Sequence, residues 1–97
     1  MLVLAAGCSR DPLEAGRVYD PVTAESGEVS TCIDGPIMGL VIDAGGHRWL
    51  QRSGLEGRTD GRLIGRLRIV RGGDDAVATF DSGDAHIEFG VRPGIVC

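Results

Sequence analysis

The side chains through which this chain could do chemistry are three cysteines, Cys8, Cys32 and Cys97, two histidines, His47 and His86, and fourteen carboxylates. Asp81, Asp84, His86 and Glu88 fall in one short run, and carboxylates with one imidazole can hold a divalent ion. The run lacks the alternating Asp order and central Gly of a calcium loop. It also lacks paired ligands at zinc spacing. It therefore reads as a solvated acidic strand edge, and His47 as an exposed hairpin residue. No Gly-x-Ser-x-Gly, no His-Glu-x-x-His and no phosphate-cradling glycine loop is present. No catalytic residue, metal or cofactor is expected, and the chain is not read as an enzyme.

All ten basic residues are arginine. Arg66 and Arg68 share one face of an alternating run, with Arg58, Arg62 and Arg71 near them in sequence. Such a strip could meet phosphate headgroups, an anionic envelope polymer or an acidic protein. That makes Arg58, Arg66 and Arg68 candidate partner-binding residues. Charged residues along a strand also keep it from pairing with other chains, a simpler reason for their presence. The formal charge of −4 and a pI near 5.0 argue against a nucleic-acid partner.

The elements that would position these residues are strands. Sixteen glycines, four aromatic residues and many β-branched residues point to short strands with tight turns. Residues 29–33 read as a first strand. Residues 36–43 are the most apolar run after the N-terminal segment, with Gly39 marking a bulge or a close backbone approach. Ala44-Gly45-Gly46 turns the chain into a return strand, 47–52, where Trp49 serves as a core lid. Residues 62–71 alternate, with Leu63, Gly65, Leu67 and Ile69 on one face and Arg66 and Arg68 on the other. Gly72-Gly73-Asp74-Asp75 reads as a tight turn, and strands over 76–81 and 85–92 follow, the second with Ile87, Phe89 and Val91 inward and His86, Glu88 and Arg92 outward. The expectation is all-β: five or six antiparallel strands closed as a small barrel or a flattened sandwich, since an open sheet would expose its edges. Residues 9–28 show no sustained periodicity and read as a flexible tether of ~25 Å reach, in which Val18-Tyr19 could dock on the domain as an extra edge.

The stretch Leu4-Ala5-Ala6-Gly7-Cys8, apolar, ending in small residues and followed by Ser9-Arg10-Asp11, resembles the end of a bacterial lipoprotein signal peptide. The resemblance implies a diacylglycerol on Cys8, cleavage just before it, and anchorage to a membrane of the bacterial cell envelope. Residues 1–7 would be the remnant of the signal, 8–28 the lipidated cysteine with its tether, and 29–97 a small β-domain. Lipid on Cys8 would leave Cys32 and Cys97, and an exported protein sits where disulfides persist. Cysteine arithmetic then joins Cys32 to Cys97 as a staple.

Ser53-Gly54, Thr59-Asp60-Gly61 and Gly73-Asp74-Asp75-Ala76 are similar in order to motifs of small envelope lipoproteins that inhibit c-type lysozyme. That resemblance implies a compact β-barrel and carries an inhibitory contact to Ser53 alone, because the tyrosine of the family's first loop is absent. The sequence thus implies an envelope lipoprotein with a binding or structural β-domain, with inhibition of an envelope-attacking hydrolase as the alternative. Its partners would be the membrane, through Cys8, and a protein or envelope polymer.

Overall fold

The computed structural model describes residues 10–32, 35–52, 61–83 and 85–92, and for 30–32 and 35–37 the backbone alone. Six strands are formed: β1 (Val18–Cys32), β2 (Gly35–Ala44), β3 (His47–Gln51), β4 (Arg62–Arg71), β5 (Val77–Ser82) and β6 (Ala85–Gly90). They close into an antiparallel barrel in the order β1-β2-β3-β6-β5-β4. Two three-stranded meanders, β1–β3 and β4–β6, are therefore joined by a β1–β4 seam and a short β3–β6 seam. Closure removes the exposed edges that a flat sheet of this size would carry.

The inward residues build one core. Val22, Ala24, Leu40, Ile42, Trp49, Leu67, Ile69, Ala78, Phe80, Ile87 and Phe89 are all buried in it. Phe80 and Phe89, neighbours on β5 and β6, meet edge to face with ring centroids 5.7 Å apart, a favoured aromatic geometry. Trp49 is fully buried and directs its indole N–H to the carbonyl of Ala44 at 3.3 Å. On β4 the alternation holds as expected: Leu67 and Ile69 point in, Arg66 and Arg68 point out.

Gln51 is the one buried polar side chain of the core among the described residues. Its Oε1 accepts the backbone N–H of Leu40 at 2.8 Å, so a side chain stands in for a strand partner just past the last β2–β3 pair, Val41 with Leu50. Gly39 lies beside this bond. A methyl group there would press on Val29 at 3.0 Å and on Gln51 Oε1 at 3.1 Å, so the close approach expected at Gly39 is present. The bulge itself falls opposite, on β1, where the β1–β2 register shifts between Glu28 and Ser30 and Val29 turns into the interior.

The N-terminal segment differs from its expectation. The first strand begins at Val18 rather than at residue 29, and residues 18–28 belong to the barrel instead of to a tether. Val22 and Ala24 point in while Thr23 and Glu25 point outward, which is strand periodicity. The register slips between Tyr19 and Val22, at the cis Asp20–Pro21 bond, and again at Val29. These slips, with Ala and Gly in place of larger apolar residues, hide the pattern in sequence.

Residues 10–17 form a strap across one end of the barrel. Asp11 N–H donates to Gly45 O at 2.9 Å, Gly73 N–H to Leu13 O at 3.1 Å, and Gly16 N–H to Ile69 O at 2.7 Å. Leu13 packs against the core. Strand directions put the start of β1, the β2–β3 hairpin, the β4–β5 turn and the end of β6 at this strapped end.

Candidate functional site

Three surfaces bear on function: the arginine face of β4, the acidic run on β5 and β6, and a groove beside β1. On the first, Arg62, Arg66 and Arg68 are exposed and form no ion pair among the described residues. They do not make a uniform basic strip. Arg66 is level with Asp81 of β5 on one side and with the Asp20–Pro21 irregularity of β1 on the other. Arg62 is level with Glu25, and Arg68 with Thr79 and Val18. Opposite charges directly across strands favour sheet pairing by ~0.2–1 kcal/mol, so this interleaving gives the arginines a structural use. Arg58 and Ser53 lie outside the described residues, as does the Thr59-Asp60 pair. Gly73-Asp74-Asp75-Ala76 is the β4–β5 connection, where Arg92 pairs with Asp75 at 2.9 Å.

On the second surface, His86 and Asp81 face each other across β5 and β6, and the imidazole Nδ1 contacts the Asp81 carboxylate. Both groups reach solvent, with side chains 69% and 36% exposed. Asp84 lies outside the described residues. Among the described residues no group of three or more His, Cys, Asp or Glu side chains converges as a metal site would require.

The third surface was not legible beforehand, because its residues were read as tether. Where β1 curls away from β2, the outer face opens into a groove of about 800 Å³. Val18, Pro21, Thr23 and Val41 line it, with the charged side chains of Asp20, Glu25, Asp43 and Arg48 around it. Arg48 Nε pairs with Asp43 at 3.4 Å, so the groove keeps a net negative character. The alternation of Val22 and Ala24 with Thr23 and Glu25 is its one trace in the sequence, too short between the two register slips to mark a strand.

At the strapped end Asp11 is a hub. Its carboxylate accepts the Tyr19 hydroxyl at 3.0 Å and lies 3.6 Å from the Arg17 guanidinium. Its carbonyl oxygen accepts the His47 Nε2–H at 2.8 Å, so that bond requires the proton on Nε2. His47 is thus half-buried under the strap rather than a freely exposed hairpin residue. Burial raises the Tyr19 pKa, and the Asp11 carboxylate, as hydrogen-bond partner and as charge, raises it further.

The side chains of the three cysteines lie outside the described residues. The staple expected between Cys32 and Cys97 therefore falls outside the described residues as well. Comparison with protein-family models, with curated proteins and with solved structures finds no match to this chain.

Proposed function

We propose that the chain is a bacterial cell-envelope lipoprotein, anchored by lipid on Cys8, whose six-stranded barrel is a small binding module and not an enzyme. The observation that carries the reading is the Leu4-Ala5-Ala6-Gly7-Cys8 stretch, which ends three residues before the first barrel contact, at Asp11. The groove beside β1 supports the binding part. It is concave, sits on a closed and well-packed scaffold, and mixes apolar walls with a few charged side chains, as ligand sites do. Its net negative character suits a cationic or amine-bearing partner better than an anionic polymer. The deciding experiment is expression in a bacterial host followed by detergent-phase separation. The full-length product should enter the detergent phase and Cys8→Ser should stay in the aqueous phase. Equal partitioning of the two would remove the anchor.

A further inference from the structure

We infer that the strapped end of the barrel lies against the lipid surface, with the groove beside β1 opening close to the headgroups. The inference rests on the lipid anchor proposed above and adds an orientation to it. Asp11 is tied to Gly45 by its backbone and to Tyr19, Arg17 and His47 by other contacts. It therefore belongs to the barrel. Only Ser9 and Arg10 separate it from Cys8, and three Cα-to-Cα steps of extended chain span at most ~11 Å. A lipid on Cys8 would hold the strapped end within about that distance of the bilayer, where a free tether would have allowed ~25 Å.

The charge distribution agrees with that placement. Around the strapped end stand Arg10, Arg17, Arg48, Arg52, Arg68, Arg71 and Arg92 against Asp11, Glu14, Asp20, Asp43, Asp74 and Asp75. The acidic excess behind the net charge of −4 thus lies in the remainder of the chain. A bacterial membrane surface rich in anionic lipid repels that remainder more than this end. Arg48 and Arg92 have side chains 68% and 64% exposed, within reach of phosphate oxygens. The end of the groove at Val18, Asp43 and Arg48 lies near the strapped end and would open there beside the headgroup layer, while Glu25, Ser26 and Gly27 carry the groove away along β1.

Trp49 is the only tryptophan and lies near this end, beside Ala44, so it can report the distance. The acylated full-length protein would be placed on phosphatidylethanolamine–phosphatidylglycerol vesicles containing a dansyl-headgroup lipid. Energy transfer from Trp49 would then be compared with that in a variant carrying twenty Gly/Ser residues inserted between Ser9 and Arg10. The insert lies outside the barrel and leaves its contacts in place; unchanged tryptophan emission without the acceptor would verify this. The added chain has a root-mean-square reach of ~25 Å, so transfer should fall about two-fold or more. Equal transfer with both proteins bound would overturn the orientation while leaving the anchor intact. If neither protein co-floats with the vesicles, the anchor fails and the orientation falls with it.

Discussion

The backbone N–H of Asp11 donates to the carbonyl of Gly45 at 2.9 Å, joining the strap to the β2–β3 hairpin across 34 residues of sequence. Gly45 suits the contact for two reasons. Its φ of +65° is one that side-chain-bearing residues rarely adopt, and a methyl group there would collide with the Tyr19 hydroxyl and crowd the Asp11 carboxylate. Gly45→Ala should therefore cost about 1–3 kcal/mol, through backbone strain and a displaced strap. Chemical denaturation checks this, and the exposed Gly83→Ala, also at positive φ but with open space around it, isolates the strain.

Tyr19 is the only tyrosine, so its ionisation can be followed directly by ultraviolet absorbance. Its midpoint should lie above the usual value of about 10, first because it is buried and second because Asp11 favours the neutral phenol. A raised folded-state pKa contributes stability that is fully present below the unfolded value and is lost as pH rises through the folded one. The strap should hold steadily from neutral pH to about 10 and loosen above it. In Asp11→Asn the midpoint should fall toward the usual value without reaching it, since burial persists. A midpoint at or below the unfolded value in the native protein would contradict the Asp11–Tyr19 contact.

Gln51 tests how much the barrel depends on a side-chain acceptor where the β2–β3 pairing ends. Gln51→Leu keeps the volume similar but leaves the Leu40 N–H without its partner in a buried setting. An unsatisfied buried donor costs about 1–3 kcal/mol, so the melting temperature should drop clearly. Gln51→Glu retains an acceptor oxygen and should recover part of the loss at high pH, offset by the cost of burying charge. A Gln51→Leu variant as stable as the parent would mean that the Leu40 N–H finds another acceptor.

The thiols test the staple. In Cys8→Ser, unfolded in denaturant without reductant after preparation in air, the monomer should titrate no free thiol until reductant is added, because an exported protein sits where Cys32 and Cys97 would be joined. A monomer that titrates two thiols at once would remove the staple.

The sequence by itself determined the all-β class, the turns at Gly45-Gly46 and Gly72-Gly73, and the inward and outward faces of β4 and β6. A half-buried strand of period two exposes every second residue, and large apolar side chains such as Leu67, Ile69, Ile87 and Phe89 mark the buried set plainly. It also determined Trp49 as a core residue and offered the Leu4–Cys8 stretch on which the proposed lipid anchor rests. The tertiary structure decided closure into a barrel over a sandwich, because strand order depends on pairings between distant segments such as Val18 with Arg68. It alone turned residues 10–28 from tether into strap and strand. Their stabilising partners, Gly45, Ile69, Gly73 and β4, are remote in sequence, and two register slips erase the local period that would have announced them. The groove beside β1 follows from that same long strand, so it could not be read before its register was known.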